Sequence, residues 1–369
     1  MMTTTSLNFE RVRRAPKVLL HDHLDGGLRP STIVELAETY GYRGLPTTDV
    51  TALGKWFVAD EPDSDLVRYL AGFTHTVALM QREESLHRIA AECALDLARD
   101  GVVYAEVRFA PELHTNEGLG LDQIVEAVLA GFADGARLAS AEGNPIIVRT
   151  LLSAMRQAAR SLEIAELAVR HREAGVAGFD VAGPEKGFPP TQHLDAFQYV
   201  QRENFHITLH AGEAFGLPSI WEAIQYCNAE RLGHGVRIVD DITVNGDDIR
   251  LGRLASFVRD RRIPLELCPT SNVHTGAAPS FGEHPIEMLR QLGFRITLNT
   301  DNRLMSGISL SDEFYSCVTN FGWGLAEMEW VSLNSMKSAF LAFDRRLDVI
   351  NTIIKPGYRA LRTEETRSN

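Results

Sequence analysis

The segment KVLLHDH, at residues Lys17–His23, is a short apolar run that ends in polar side chains, and the pattern recurs along the chain. The seven later segments of this kind are Val102–Phe109, Ile146–Ser153, Val176–Gly183, Ile207–Gly212, Arg231–Gly235, Pro264–Pro269 and Arg295–Asn302. They are short, rich in Val, Ile and Leu, and bounded by Gly, Pro or Asp, as buried parallel strands are. We therefore predict eight strands.

The stretches between these strands carry helix signals. Leu66–Met80, Glu84–Leu97, Leu121–Leu138 and Ser161–Ala174 place apolar residues three and four positions apart. Eight strands that alternate with helices predict βαβ units, which close into a (β/α)8 TIM barrel. Residues 24–101 form the longest gap between strands, so we expect extra helices inserted after the first strand, as a cap over one end of the barrel.

Length and composition fit one such domain. The chain has 369 residues, of which 44% are hydrophobic and 23% charged, as in globular proteins. Barrels of this class run past ~250 residues as single domains, and no linker or internal repeat divides the chain. We expect a disordered tail at residues 1–15, one barrel domain at 16–357 and a C-terminal tail at 358–369.

Charge and cysteine content exclude several classes of protein. The 49 acidic and 37 basic residues give a net charge of −12, which disfavours binding to nucleic acid. No apolar run approaches the ~18 residues of a membrane span. None of the four cysteines lies in a C-x-x-C pair, which favours a reduced, cytoplasmic protein. The sequence gives no indication of oligomeric state.

Candidate catalytic residues lie at the predicted strand ends, where barrel enzymes carry their active sites. His21 and His23 are two positions apart on the first strand, so both imidazoles project to the same face and could bind one metal ion. The alternative for this pair is two hydrogen-bonded core histidines. His210 ends the fifth strand, and Gly212 permits a bend that would bring Glu213 back beside it as a general acid or base. The alternative is a solvated glutamate.

Two further candidates end the sixth and eighth strands. His234 lies between Gly233 and Gly235, which would let the backbone approach a ligand, although a turn histidine has the same neighbours. Asp301 follows the RITL run and could instead be a helix N-cap. Three histidines and one aspartate at strand ends of one barrel together predict a metal site. Nitrogen and oxygen ligands suit zinc best, with iron(II) or manganese as alternatives.

Several other catalytic signatures are absent from the sequence. There is no H-E-x-x-H helix, no P-C-x-x-C deaminase motif, no phosphate-binding G-x-x-x-x-G-K-[ST] loop and no G-x-S-x-G nucleophile elbow. No G-x-G-x-x-G follows a predicted strand, so nothing supports binding of NAD.

Six motifs, in this order, resemble the adenosine deaminase family of metal-dependent barrel hydrolases. They are LLHDHLDGGLRP at 19–30, FDVAGPE at 179–185, TLHAGEAFG at 208–216, RLGHGVR at 231–237, ELCPTSN at 266–272 and LNTDN at 298–302. The resemblance runs from Lys17 to about Pro356, and HDHLDGGLRP and NTDNRLMSG are similar to the actinobacterial branch.

This resemblance implies a role for each matched residue. The implied ligands of one zinc ion per chain are His21, His23, His210 and Asp301. Glu213 is implied as the proton donor, and His234 as the residue that orients the attacking hydroxide. The implied substrate contacts are His23, Asp25 toward the ribose 5′-hydroxyl, Gly183 through its backbone N–H toward a purine nitrogen, and Asn302.

One position departs from the family pattern, because Asn302 stands where an acidic residue is usual. An amide donates a hydrogen bond at any pH, so the contact with the purine can survive, but base selectivity is open. The family implies hydrolysis of adenosine, and of 2′-deoxyadenosine, to inosine and ammonia in purine salvage. HLDG at 23–26 favours a nucleoside over a free base, since adenine and aminofutalosine deaminases more often read HLEG.

The sequence leaves three alternatives open. The first is a deaminase of another aminopurine, such as adenine or aminofutalosine. The second is a two-metal amidohydrolase, which usually needs a lysine at the end of the fourth strand, whereas Lys186 lies beyond that strand. The third is a non-catalytic purine-binding barrel. Eight histidines have no assigned role, and packing or surface positions are expected for them: His75, His87, His114, His171, His193, His206, His274 and His284.

Overall fold

The computed structural model describes residues 7–58, 66–246 and 248–368. Its strands are β1 Lys17–His23, β2 Val102–Phe109, β3 Ile147–Met155, β4 Val176–Ala182, β5 His206–Ala211, β6 Arg231–His234, β7 Ile242–Asn245, β8 Asp248–Leu251, β9 Leu265–Leu267 and β10 Ile296–Leu298. Eight of them form a parallel sheet in the order β1-β2-β3-β4-β5-β6-β9-β10. The predicted TIM barrel is confirmed.

The barrel closes through residues that follow β10 rather than through the strand itself. The His23 backbone N–H donates to the Asp301 carbonyl at 2.7 Å, and the Asp301 N–H donates to the His21 carbonyl at 3.0 Å. Between these contacts and β10, the Asn299 side chain accepts from the Leu20 N–H at 2.9 Å. This side chain replaces a strand pairing, so β10 ends at Leu298 and is shorter than the predicted Arg295–Asn302.

Helices surround the sheet and fill the gap after β1. Their bounds are α1 Phe9–Arg14, α2 Pro30–Tyr40, α3 Val50–Phe57, α4 Leu66–Leu79, α5 Glu83–Arg99, α6 Leu121–Ala141, α7 Ser161–Arg170, α8 Leu194–Arg202, α9 Leu217–Gln225, α10 Arg253–Asp260, α11 Pro269–His274, α12 Ile286–Gln291, α13 Arg303–Ser306, α14 Leu310–Phe321, α15 Leu325–Ser338, α16 Phe343–Val349 and α17 Lys355–Ser368. The predicted extra helices after the first strand are α2 to α5. No helix in the described part of the chain is both long and apolar enough to cross a membrane.

Residues that we assigned to both tails are helical in the structure and contact neighbouring elements. The Asn8 side chain accepts from the Arg11 N–H at 3.0 Å and caps α1, within the region expected to be disordered. Buried Lys17 donates from Nζ to three carbonyls near the end of α1, each at 2.9 Å. At the other terminus α17 runs through residue 358, where the buried Tyr358 hydroxyl lies 3.0 Å from Ser332 Oγ. Residues 1–6 of the predicted tail lie outside the described residues.

The sequence also failed to predict the antiparallel hairpin of β7 and β8. Each strand has four residues, and most of their side chains are exposed. The hairpin follows β6 and precedes α10, outside the barrel sheet. Short exposed strands of this kind lack the apolar alternation that marks a half-buried strand.

Candidate active site

The four predicted metal ligands meet at the carboxyl end of the barrel. His21 and His23 come from β1, His210 from β5, and Asp301 from the turn after β10. One possible ligand atom from each lies within 4.8 Å of every other. His23 Nε2 is 3.2 Å from His210 Nε2, and Asp301 Oδ1 is 3.3 Å from His21 Nε2 and 3.4 Å from His23 Nε2.

A buried carboxylate orients His21 from below. His21 Nδ1 lies 2.9 Å from Glu266 Oε2 on β9, and Glu266 also accepts from Arg108 and Arg231. Burial would raise the pKa of Glu266, but the two arginines lower it well below its usual range. The ionised carboxylate only accepts, so Nδ1 carries the proton and the Nε2 lone pair faces the other ligands. Burial and nearby Arg108 lower the pKa of His21 to about 4.

His210 has an equivalent partner on β4. Its Nδ1 lies 3.1 Å from Asp180 Oδ1, while Asp180 Oδ2 accepts from Ser153 at 2.8 Å and from Arg108 at 3.2 Å. Burial would raise the pKa of Asp180, but His210 and Arg108 lower it well below its usual range. His210 Nε2 is thereby left unprotonated toward the cluster, as a metal-ligating histidine requires.

Asp301 is held in a backbone conformation that few residues adopt. Its φ of 60° turns the chain after β10 so that the carboxylate faces the histidines. Ser271 Oγ donates to Asp301 Oδ2 at 2.6 Å, which leaves Oδ1 toward His21 and His23. Burial would raise the pKa of Asp301, but the hydrogen bond with His21 and the neighbouring histidines lower it well below its usual range.

This donor set fits a divalent metal ion. Metal–nitrogen and metal–oxygen bonds of ~2.1 Å separate neighbouring ligands by about 3 Å, close to the 3.2–3.4 Å found here. His21 Nε2 is buried and makes no well-directed hydrogen bond, although Asp301 Oδ1 is near. A cation would satisfy this nitrogen together with the facing Nε2 atoms of His23 and His210. The four residues could therefore hold a metal.

Glu213 reaches the same cavity through a sharp turn after β5. Gly212 has φ 76°, and a Cβ on it would come within 2.4 Å of Ile220, so the turn requires glycine. Glu213 Oε1 accepts from the Thr275 hydroxyl at 2.9 Å, and Oε2 lies 3.6 Å from His234 Nε2. The bend predicted at Gly212 is present, and it turns Glu213 toward His234.

A second carboxylate, Glu185, holds that turn in place. Glu185 Oε1 accepts from the Gly212 N–H at 2.5 Å, and Oε2 accepts from the N–H groups of Glu213, Ala214 and Phe215 at 3.1, 2.6 and 3.0 Å. Burial would raise the pKa of Glu185, but these backbone donors contribute to lowering it. Four main-chain donors on one buried carboxylate fix the backbone from which Glu213 projects.

Removal of this carboxylate is expected to impair catalysis without loss of metal. In Glu185→Ala the turn loses four acceptor contacts, and a displacement of Glu213 by ~1 Å would lower kcat by roughly 10²-fold. Glu185→Gln keeps one acceptor oxygen and should retain more activity. The measurement is kcat with metal content on the same samples. Wild-type kcat in Glu185→Ala would contradict this role.

His234 lies opposite Glu213, with φ 59°, and is buried. Its Nε2 faces Glu213, and its Nδ1 lies 3.1 Å from Asn272 Nδ2 at the end of the ELCPTSN motif. Its ring centroid is 4.7 Å from that of His21. The glycine-flanked histidine is therefore part of the cluster rather than an isolated turn residue.

A cavity of about 250 Å³ connects these groups with the remaining predicted residues. Asp25, Gly183 and Asn302 all line it, together with His23, His210, Glu213, His234 and Asp301. Burial raises the pKa of Asp25 to about 7, and its Oδ1 is buried without a hydrogen-bond partner in the described part of the chain. This oxygen is available to a ligand.

Sequence reasoning gave no role to several residues that support the site. Glu185 and Asn272 belong to motifs quoted above, so their motif membership was the signal that could have found them. Glu266 and Asp180 belong to the same two motifs, but they are strand residues whose roles depend on partners across the barrel. His284, expected at a surface or packing position, is buried, and its Nε2 lies 3.2 Å from Asn272 Oδ1.

Comparison with known proteins agrees with this geometry. The model of the adenosine deaminase family matches residues 16–356. Adenosine deaminase 1 of Streptomyces coelicolor is 63% identical over 356 residues, which cover 96% of this chain and 90% of that protein. The chain belongs to the adenosine deaminase family. A second family member, the adenosine deaminase of Mycolicibacterium vanbaalenii, is 60% identical and covers 97% of this chain and 99% of its own length.

Two solved structures of lower sequence identity share the barrel. The apo N6-methyl-AMP deaminase of Arabidopsis thaliana is 26% identical, with a TM-score of 0.79 over 95% of this chain and 98% of that one. The adenine deaminase of Arthrobacter aurescens is 24% identical, with a TM-score of 0.79 over 92% and 98% of the two chains. The two adenosine deaminases named above come from actinobacteria, the branch that the motifs resemble.

Proposed function

We propose that this protein hydrolyses adenosine and 2′-deoxyadenosine to the corresponding inosines and ammonia, with one zinc ion per chain, in purine salvage. The supporting observation is that one cavity brings together His21, His23, His210 and Asp301 with the carboxyl of Glu213. In the reaction, water adds to the purine carbon that bears the amino group, and the C–N bond to that group then breaks. The amino nitrogen leaves as ammonia, and oxygen takes its place.

The metal role is assigned from the donor set. Three imidazoles and one carboxylate, without a cysteine, suit zinc. When bound, the ion would supply Lewis acidity that lowers the pKa of a coordinated water from ~15.7 toward ~7. Glu266 and Asp180 would keep His21 and His210 in the tautomer that presents Nε2.

Glu213 is proposed as the proton donor. Addition of oxygen to the purine carbon places negative charge on the adjacent ring nitrogen, which must gain a proton for the addition to proceed. The Glu213 carboxyl lines the cavity, with its side chain 23% exposed, and Thr275 and Glu185 restrict its position. A carboxylic acid in this place can transfer the proton as charge develops.

His234 is proposed to orient the attacking oxygen. Its Nε2 lies 3.6 Å from Glu213 Oε2, beside the ligand cluster. A hydrogen-bond donor at this point would stabilise charge on the oxygen that adds to the ring. Burial of His234 keeps water from competing for the contact.

Substrate recognition is assigned to the remaining residues that line the cavity. His23 lines the cavity as a proposed metal ligand, and Gly183, which follows β4, would offer its backbone N–H. Buried Asn302 can donate from its amide to the five-membered ring of the purine. Asp25 accepts a hydrogen bond from the ribose 5′-hydroxyl through its buried oxygen.

Substitution of Asp25 should therefore separate nucleosides from free bases. In Asp25→Ala the ribose loses a hydrogen bond to a buried carboxyl, which is worth ~1.5–3 kcal/mol. We expect kcat/KM for adenosine to fall by roughly 10–100-fold, mainly through KM, while the small activity on adenine stays within a few-fold. Equal losses on both substrates would contradict a ribose contact.

The described residues do not support a two-metal site. A two-metal site would need a bridging lysine at the end of β4, and Lys186 is exposed in the loop beyond that strand. The described residues contain one group of three or more potential metal ligands, which is the quartet above. We therefore propose a single ion.

The test is a substrate series with metal analysis on the same preparation. The change in ultraviolet absorbance on conversion of adenosine to inosine gives kcat and KM, and 2′-deoxyadenosine, adenine and AMP are run in parallel. The proposal requires kcat/KM for the two nucleosides to exceed that for adenine and AMP by at least ~10²-fold. A preference for adenine or AMP would overturn the nucleoside assignment, and a metal content near two per chain would overturn the single ion.

A further inference from the structure

A chain of three polar groups leads away from the cavity behind His234. His234 Nδ1 lies 3.1 Å from Asn272 Nδ2, and Asn272 Oδ1 lies 3.2 Å from His284 Nε2. His284 Nδ1 is 3.2 Å from the backbone nitrogen of Ile286, at the start of α12. All three side chains are buried, so solvent does not compete for these hydrogen bonds.

The contact with the Ile286 backbone fixes which atoms donate and which accept along this series of hydrogen bonds. A main-chain N–H can only donate, so His284 Nδ1 accepts from Ile286. A neutral imidazole that accepts at Nδ1 carries its proton on Nε2, which donates to Asn272 Oδ1. Burial, with a contribution from His234, lowers the pKa of His284 to about 3 and keeps the ring neutral.

The amide transmits the same direction to His234. With its oxygen toward His284, Asn272 presents its NH₂ group to His234 Nδ1, which must accept. The proton of neutral His234 is then on Nε2, the nitrogen 3.6 Å from Glu213 Oε2.

We propose that Asn272 and His284 are positioning residues that hold His234 in the Nε2–H tautomer, as a hydrogen-bond donor toward the reacting atoms. In this tautomer Nε2 has no free lone pair, so His234 cannot remove a proton from water through that nitrogen. The catalytic consequence rests on the proposed function, whereas the tautomer does not.

The tautomer can be measured without an assay of activity. Nitrogen NMR of metal-loaded protein, labelled with ¹⁵N-histidine, distinguishes protonated from unprotonated ring nitrogens, and His234→Gln identifies the His234 signals. We expect Nε2 protonated and Nδ1 unprotonated in both His234 and His284. A wild-type spectrum with Nδ1 protonated in His234 would overturn the proposal. This result does not depend on whether the Asn272 or His284 variants fold.

Two variants test whether the hydrogen-bond chain of His234, Asn272 and His284 contributes to catalysis. Asn272→Asp offers Nδ1 a carboxylate that only accepts, so the His234 proton should move to Nδ1, and kcat should fall by roughly 10²–10³-fold with KM nearly unchanged. His284→Gln can still donate to Asn272 Oδ1 and should keep the wild-type tautomer and most of kcat. If the His234 proton moves to Nδ1 in Asn272→Asp and kcat is unchanged, the hydrogen-bond chain has no role in catalysis. Absence of adenosine turnover in wild type with the expected tautomer would refute only the proposed function.

A different feature lies at the opposite end of the barrel. A cavity of about 540 Å³ opens where β5, β6, β9 and β10 begin. Five of the basic residues that line this cavity form no ion pair within residues 7–58, 66–246 and 248–368. They are Arg261, Arg262, Arg295, Lys337 and Arg346. The acidic residue in its lining is Glu230, whose carboxylate already contacts His206 at 3.0 Å.

The arrangement of these cations is unfavourable without a counter-ion. The Nε atoms of Arg295 and Arg346 are buried without a hydrogen-bond partner in the described chain. Burial and the positive charges of Arg262 and Arg346 lower the pKa of Arg295. The chain has 49 acidic residues against 37 basic ones, yet five cations gather here without an acidic partner.

We infer that this cavity binds a small anion that carries a phosphate group. Guanidinium groups donate pairs of parallel N–H bonds that match phosphate oxygens, and several of them together neutralise a dianion. Arg262 and Arg346 donate from Nη1 to main-chain carbonyls, of Gly293 and Lys337 at 2.7 Å each, and these neutral acceptors leave the positive charges uncompensated.

Calorimetric titration with inorganic phosphate tests the inference, with chloride at equal ionic strength as the reference and ribose 5-phosphate as the organic counterpart. We expect saturable binding of one phosphate per chain, weakened at least 10-fold in Arg295→Ala and unchanged in Arg250→Ala, where an exposed arginine pairs with Asp248. Tighter binding of ribose 5-phosphate would assign the site to a phosphorylated metabolite. No saturable binding of either probe, or equal affinity in Arg295→Ala, would overturn the inference.

Discussion

Glu213→Gln should lower kcat on adenosine by roughly 10²–10⁴-fold, the range for loss of a general acid. The amide keeps the shape of the side chain and can still donate a hydrogen bond, but it cannot transfer a proton to the purine nitrogen. Its contact with Thr275 can remain, because the amide oxygen accepts as the carboxylate does. KM should therefore change much less than kcat.

Metal content and thermal stability separate this effect from misfolding. We expect Glu213→Gln to keep one metal per chain and a wild-type unfolding midpoint, because Glu213 is outside the ligand quartet. The matched control is Glu173→Gln, since Glu173 is exposed just before β4 at the opposite end of the barrel. Near-normal turnover in Glu213→Gln would remove Glu213 from the role of proton donor.

His210→Ala should abolish metal binding and, with it, activity. The substitution removes one of four ligands and leaves Asp180 buried without its imidazole partner. Loss of a group that only supports a ligand already costs 10–100-fold in affinity, so loss of the ligand itself should cost at least that. Elemental analysis after dialysis should then find well under one metal per chain.

A histidine substitution of equal size elsewhere controls for general damage. His87 is half-buried on α5, far from the ligand quartet in the fold, and contacts Asp134 at 3.2 Å, so His87→Ala should keep both metal and turnover. Stoichiometric metal in His210→Ala would show that the proposed ligand set is wrong. Activity without metal in that variant would contradict a metal-dependent reaction.

Much of the barrel could be predicted because its signal is local. Each strand of the sheet is a short buried run, and a helix of regular apolar spacing follows most of them. The ends were less predictable, since they depend on distant partners. Asn299 ends β10 by bonding to Leu20 on β1, which no local pattern indicates. Lys17 orders α1 through three carbonyls, although the basic N-terminal segment resembles a disordered tail.

The active site likewise combines residues that the sequence predicts with residues that it does not. Its four ligand positions follow from strand ends and from motifs, and the structure brings all of them together. The residues that orient them lie on other strands and loops, so their roles appear only once the barrel is closed. Glu266 reaches His21 across 245 positions, and Glu185 holds the Glu213 turn across 28. Periodicity within one segment contains no information about such pairs.

Zinc titration of metal-free protein, with adenosine turnover measured at each step, tests the central claim most directly. The metal-free protein should be inactive, and activity should rise in proportion to added zinc and saturate at one ion per chain. Full turnover before any metal is added, saturation at two ions, or inactivity at full occupancy would contradict the assignment of His21, His23, His210 and Asp301 to a single catalytic ion.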